Sequence, residues 1–299
     1  MNSSVKIIIL LLTLSILQFL SCSDNTMDPS TSTSAEYTQI DFEPAWSNTG
    51  DRIAYVHSDM DFDFNGIYIV NTNGTNSRLL INGFTYSPDW SPDGSWIFFS
   101  QNNNISKVRT TGDSLISLTD NGINLYPKCS SDGNWLVYSE CGTQPCDVWI
   151  MKPDGKQKNM MVTNATYPNW VNGSSSFIYF SPIKDNKGRQ TGDTLAQYFF
   201  SNGSKQVIAL LNGDDHIINS YPVSAGDEII FCSMNKDGYV YVYSMNLNGN
   251  NIAKLTTAQS YSPDYSSANQ KIIYTNRNNG NGRLWIMDKN GSGQVQFTY

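Results

Sequence analysis

Residues 86–101 read YSPDWSPDGSWIFFSQ, and this stretch decides the fold. Aromatic and β-branched residues flank Pro92-Asp93-Gly94. Proline presets φ, aspartate hydrogen-bonds nearby backbone, and glycine takes a positive φ without steric cost. The pattern predicts a strand ending at Trp90, a tight turn, and a second strand over 96–100.

Outward from this stretch the pattern recurs. It appears as Pro44-Ala45-Trp46 with a Gly50 turn and then Ile53-Ala54-Tyr55-Val56. It returns as Pro127-Lys128-Cys129 with Asp132-Gly133 and Trp135-Leu136-Val137-Tyr138, and as Pro168-Asn169-Trp170 with Gly173 and Phe177-Ile178-Tyr179-Phe180. A degenerate copy has Pro222-Val223, Gly226 and Ile229-Ile230-Phe231. The last has Pro263-Asp264-Tyr265, then Asn269 in the glycine place and Ile272-Ile273-Tyr274. Asparagine is the residue after glycine that best tolerates left-handed φ, so Asn269 is expected to carry that turn.

The spacing from Trp46 to Tyr55, Trp90 to Phe99, Cys129 to Tyr138, Trp170 to Tyr179 and Tyr265 to Tyr274 is nine residues in every case, and the prolines stand 39 to 54 apart. Each unit adds a third apolar run, a glycine turn and a fourth run. Four short strands at that period make a propeller blade. The chain is therefore expected to be all-β, a six-bladed β-propeller of four-stranded antiparallel blades over 40–299. The blades fall at about 40–81, 82–119, 120–163, 164–211, 212–256 and 257–299. Period-two alternation excludes a helical solenoid. Each blade is read as consecutive strands with none borrowed to latch the ring. Trp46, Trp90 and Trp170 are read as core between blades.

Trp90-Ser91-Pro92-Asp93-Gly94 followed by Trp96-Ile97-Phe98-Phe99-Ser100 resembles the repeat of TolB-like propellers, and the resemblance extends over 40–299. It implies a module that binds other proteins. TolB itself carries an α/β domain ahead of its propeller, where this chain has a polar tether.

That tether follows a targeting segment. Lys6 precedes fourteen uncharged residues, 7–20, short for a bilayer span of about 20 but suited to a signal-peptide core. Phe19-Leu20-Ser21-Cys22 resembles the lipobox of bacterial lipoproteins, which implies cleavage after residue 21 and lipidation of Cys22. Ser23 stands where an inner-membrane retention signal would have Asp. The resemblance thus implies anchoring to the outer membrane of a Gram-negative cell, facing the periplasm or the surface. An ordinary signal peptide and an uncleaved anchor are the alternatives. Residues 23–39 are rich in Ser, Thr and Asp, as a flexible linker would be.

The net charge of −7 and pI near 4.7 repel phosphate backbones, and no basic stripe offsets them, so nucleic acid is not an expected partner. With 39% hydrophobic and 12% aromatic residues the chain can build a packed core.

Several groups have chemistry to offer. Cys141 and Cys146 flank a short turn and are read as a disulfide in an oxidising compartment. Cys129 and Cys232 are read as small buried hydrophobes. Asp59, Asp61, Asp63 and Asn65 alternate before Gly66, a weak calcium pattern that lacks the closing glutamate of an EF-hand; a solvated acidic hairpin is the other reading, and no other cofactor is expected. The two histidines, His57 and His216, are too few for the metal site of oligogalacturonate lyases, whose repeats these also resemble. No G-x-S-x-G elbow or phosphate loop occurs, so no catalytic constellation is identified.

What remains is surface. Connections before the first strand and between the second and third strands share one face. That face gathers the loop 57–66, a long insertion over 181–194, the 212–220 loop with His216, and Tyr86, Tyr126, Tyr167, Tyr221 and Tyr261. The polar residues after the prolines, Asp89, Lys128, Asn169 and Asp264, are candidate contacts or ordinary solvent-facing positions. Tyrosine suits interfaces because it gives contact area at low entropic cost. The expected function is a non-enzymatic, lipid-anchored envelope scaffold for an unidentified protein partner. The alternative is a carbohydrate-binding or carbohydrate-active propeller using the central funnel.

Overall fold

In the first blade, Gln39–Trp46, Arg52–Asp59, Gly66–Asn71 and Arg78–Asn82 pair antiparallel in chain order. This is a computed structural model describing residues 39–59, 64–142, 145–171, 173–216, 218–277 and 281–299; the segments expected to be leader and tether, with Cys22, lie outside the described residues. Five further sheets repeat the order over 85–117, 124–162, 166–212, 218–254 and 260–296. The fold is a six-bladed β-propeller of four-stranded antiparallel blades. No helix among the described residues is long and apolar enough to cross a membrane.

The turn of residues 91–96 shows why the motif recurs. Ser91 Oγ donates to Asp93 Oδ1 at 2.5 Å and accepts the Trp96 N–H at 2.9 Å, while Gly94, at φ 68°, donates its N–H to the Ser91 carbonyl at 2.9 Å. Ser130, Asp132 and Gly133 repeat this bond for bond. In blade 1 the aspartate lies after the glycine, and Ser47 Oγ reaches Asp51 at 2.8 Å. The serine after the Trp position is thus as much a part of the turn as the aspartate and glycine.

The core lies between blades. Six buried clusters each join two neighbours, one for every interface around the ring. Trp46, Trp90 and Trp170 are 8%, 3% and 7% exposed, as core residues should be. The Trp90 indole donates to the Ala45 carbonyl at 3.0 Å and the Trp170 indole to the Lys128 carbonyl at 2.9 Å, each reaching back one blade. Cys232 is buried and Cys129 half-buried against the blade 2–3 cluster.

Two expectations change. The insertion over 181–194 is no loop: Ser176–Lys184 and Gln190–Phe199 extend blade 4 as one long hairpin, pairing Ser181 with Thr194 and Ile183 with Gly192. In the last blade the left-handed residue is Gln270, at φ 54°, not Asn269. Asn269 instead donates Nδ2 to the Gly50 carbonyl at 2.7 Å, across the ring seam. Its amide serves a contact that glycine has no side chain to make.

Every first strand carries a bulge at the proline and the residue before it. All six pre-proline residues take positive φ, from 49° at Glu43 to 58° at Tyr126. Non-glycine residues rarely do so. Its sixfold repetition makes this a property of the blade, one that positions one pre-proline residue per blade at the channel.

Candidate functional site

The six pre-proline residues are Glu43, Ser87, Tyr126, Tyr167, Tyr221 and Ser262, and all line the central channel. Tyr126, Tyr167 and Tyr221 pack as a trio with ring centroids 4.2, 4.9 and 5.8 Å apart. The Tyr126 and Tyr167 hydroxyls lie 3.2 Å from each other. From the other side of the channel Glu43 accepts the Tyr221 hydroxyl at 2.7 Å and the Ser87 N–H at 2.6 Å. Burial raises the Glu43 pKa despite those bonds. It also pushes the Tyr126 phenol up to about 12 and those of Tyr167 and Tyr221 well above the usual value. The tyrosines therefore keep their protons.

The next polar layer comes from the post-proline residues. Lys128 Nζ sits 3.1 Å from Asp89. Burial works to lower the Lys128 pKa, but Asp89 and Asp264 outweigh it and raise it, so the ammonium stays charged. The same burial lifts the carboxyls, Asp89 upward and Asp264 to about 6, each opposed by Lys128. Both aspartates also serve the ring: Asp89 Oδ2 accepts the Cys129 N–H and Asp264 Oδ2 the Trp46 N–H, each at 2.7 Å and each from the following blade. Asn169 lines the same channel.

These side chains close the funnel. The cavity left among them is about 30 Å³, room for about two water molecules and none for a sugar ring. One ammonium, Lys128, serves the buried carboxyls of Asp89, Asp264 and Glu43, and hydrogen bonds tie Glu43 to Tyr221 and Lys128 to Asp89, so the centre is a bonded plug.

The tyrosines singled out in the sequence are of two kinds. Tyr126, Tyr167 and Tyr221 precede proline and fill the channel. Tyr86 and Tyr261 stand one residue earlier, ahead of Ser87 and Ser262, and lie nearer the face. Tyr86 contacts Phe42 at 6.4 Å, and burial, then Glu43, pushes its phenol to about 12. Tyr261 bonds Gln259 at 2.5 Å and lies beneath the Arg277 guanidinium at 5.0 Å. The spacing to proline distinguishes the two kinds in the sequence. His216 is away from the channel, its Nδ1 2.8 Å from Ser233 Oγ and its ring 5.1 Å from Tyr243, and burial lowers its pKa. Ser233 Oγ donates to the Asp215 carbonyl at 2.9 Å, which engages it as structure.

Asn65 Oδ1 accepts the Asp59 N–H at 2.7 Å, so its oxygen is engaged within the loop rather than presented to an ion. Asp61 and Asp63 lie outside the described residues. Among the described residues no three His, Cys, Asp or Glu side chains converge. Cys141 and Cys146 are joined as a disulfide.

The face carrying the first-strand starts also shows apolar groups. Phe64 is 59% exposed in the second-to-third connection of blade 1. Phe84 at 38% and Ile123 at 37% follow in the links to blades 2 and 3. Three connections of blades 1 to 3 on this face thus carry an exposed apolar side chain, with the polar Asn102-Asn103 turn between the second and third. Sequence reasoning passed over these three and Glu43, whose signal was its place before Pro44.

Among solved structures, TolB from Acinetobacter baumannii shares the fold, with a TM-score of 0.71 at 21% identity, over 84% of this chain and 64% of that one. This chain thus spans less than two thirds of that protein. The β-propeller domain of the trilobed protease from Pyrococcus furiosus, described as having an open velcro topology, matches at TM-score 0.56 and 15% identity over 88% of this chain and 86% of that one. An oligogalacturonate lyase in complex with manganese matches at TM-score 0.58 and 11% identity, over 91% and 83%. No protein-family model and no curated protein sequence matches the chain. The fold is that of a TolB-like propeller.

Proposed function

We propose that this chain is a cell-envelope protein whose propeller recognises another protein through the face bearing Phe64, Phe84 and Ile123, and that a lipid on Cys22 tethers it to the outer membrane. The exposed apolar arc carries this reading. Exposed apolar groups grouped on one face are a mark of interaction surfaces, and the plugged channel directs attention to the faces. The TolB-like fold and the expected leader over residues 1–21, just ahead of Cys22, agree with it.

The test is crosslinking and affinity capture from envelope membranes with the full chain. A stoichiometric protein partner that is captured by the wild type and lost with Phe64→Asp and Ile123→Asp supports the reading. Equal capture by the variants, or binding to a glycan array in place of a protein, overturns it. For the anchor, Cys22→Ala releases the protein from membranes; continued retention argues against lipidation.

A further inference from the structure

The seam between the last and first blades opens into a cleft of about 450 Å³, lined by Asp41, Tyr55, His57, Asp59, Phe64 and Tyr68 on the blade 1 side and by Phe297 and Tyr299 opposite. That volume is in the range of small-ligand sites, about 300–1,000 Å³. We propose that this cleft binds an alkylammonium or guanidinium group, seated between the aromatic rings and the carboxylates of Asp41 and Asp59.

The donor count supports a cation. Asp41 is buried and its Oδ1 lies 2.6 Å from His57 Nδ1. The His57 ring stands edge-on to Tyr68 at 5.4 Å, and Tyr68 stacks on Tyr55 at 5.7 Å. Asp59 differs from the other carboxylates inside this protein. Glu43, Asp89, Asp193 and Asp264 each accept hydrogen bonds from named donors. Asp59 Oδ1 is shut off from solvent and has no hydrogen-bond partner among the described residues. Leaving such an oxygen bare is costly. A rotation of the carboxylate would bring this oxygen to the cleft, where a ligand N–H would supply the missing donor.

The surroundings select the sign and shape of that ligand. No lysine or arginine lines the cleft among the described residues, so neither side chain is there to neutralise its two carboxylates. Burial, followed by Asp59 and Asp41, raises the Tyr68 pKa, which registers their negative field at the ring. Aromatic faces attract cations, and an anion would meet both carboxylates. A neutral sugar would gain the ring contacts without the charge.

Two sources share this chemistry: the side chain of a lysine or arginine on another protein, and a free polyamine. The inference stands independently of the protein-recognition reading, because a free polyamine would occupy the cleft with no protein partner at all.

Calorimetry on the full chain tests it with 1,4-diaminobutane, Nα-acetyl-lysine amide and Nα-acetyl-arginine amide as probes, 1,4-butanediol as the uncharged control and calcium chloride as the metal control. Saturable binding of at least one organic cation, none of the diol, and a loss of about tenfold or more in Asp59→Asn support the proposal. Tighter binding of the diamine assigns the free polyamine; tighter binding of an amino-acid amide assigns the protein side chain. Absence of cation binding, unchanged binding by a folded Asp59→Asn, or calcium binding in place of the organic cations overturns it. Should Asp59→Asn not fold, the wild type still decides. The chain has two histidines, and the ring resonances of His57 must move on adding the cation; if they stay fixed, the site is refuted.

Discussion

The Asp264 carboxylate of the last blade accepts the Trp46 N–H of the first at 2.7 Å, at the one place where the ring must close on itself. Among the described residues no strand of one of these two blades joins the sheet of the other, beyond a single parallel bridge between Ile40 and Gly282. The seam is held instead by Asp264, by the Asn269 bond to the Gly50 carbonyl, by the Asp41 N–H to the Gly282 carbonyl at 3.0 Å, and by packing of Trp46 and Tyr55 on Ile273 and Leu284. Asp264→Ala leaves the Trp46 N–H without its acceptor, and such an orphaned group costs about 1–3 kcal/mol. Chemical denaturation will show that loss, and Asp264→Asn, which keeps an accepting oxygen, will show less.

The tryptophans separate by their indole nitrogens. Trp90→Ala should cost about 3–5 kcal/mol, as for other buried large aromatics, and an unchanged melting temperature would refute its place in the core. Trp90→Phe strands the Ala45 carbonyl. Trp46 Nε1 is buried without a partner among the described residues, so Trp46→Phe removes an unsatisfied donor. It is expected to be the milder of the two substitutions, by roughly 1–2 kcal/mol.

Asp193 gives the fold a pH signature. It is 2% exposed, and burial lifts its carboxyl to about 6 against the opposing bonds from Asn219 and Gln190. Its protonated form is favoured in the folded state, so its contribution is fully present below the ordinary carboxyl range and is lost as pH rises through about 6. Stability of the wild type relative to Asp193→Asn should fall by up to roughly 3 kcal/mol between pH 4 and 7. The lowered His216 pKa acts in the opposite direction, which is why the difference between the two proteins, followed by thermal melts across pH, is the quantity to measure. A flat difference would contradict the burial of Asp193.

Reduction of the Cys141–Cys146 disulfide releases a loop with a sequence separation of 5. The chain-entropy cost of so short a loop is about 2 kcal/mol. A Cys141→Ser, Cys146→Ser double variant should lose about that much while keeping its β-sheet circular dichroism, since blade 3 pairs through 124–129, 136–140 and 147–151 without it.

The blade was legible because its turn is local chemistry. Asp93 and Gly94 announce a turn, and six copies of it announce a ring. The site was less legible for a physical reason. Asp89 and Asp264 look like surface carboxylates until the following blade is in place, because their partners, the N–H groups of Cys129 and Trp46, lie 40 and 218 residues away in sequence. Tyr126, Tyr167 and Tyr221 were visible as a set, yet what they face is decided by a bulge that turns the residue before proline into the channel. Asn269 was read as a glycine substitute, and only the neighbouring blade reveals its amide at the Gly50 carbonyl. Local signals fixed the strands; contacts between blades assigned the side chains.

A ring whose blades are all made of consecutive strands has no privileged starting point. Gln39 and Tyr299 line the same cleft, and each link between blades leaves every strand pairing on its own side. A circular permutant opened at residues 83–84, with a short linker from Tyr299 to Gln39, would keep all six sheets and convert the present seam into an ordinary covalent link. The weak point would then move to the junction of blades 1 and 2. Where this propeller opens is thus set by the placing of its termini, and six interchangeable positions are available for it.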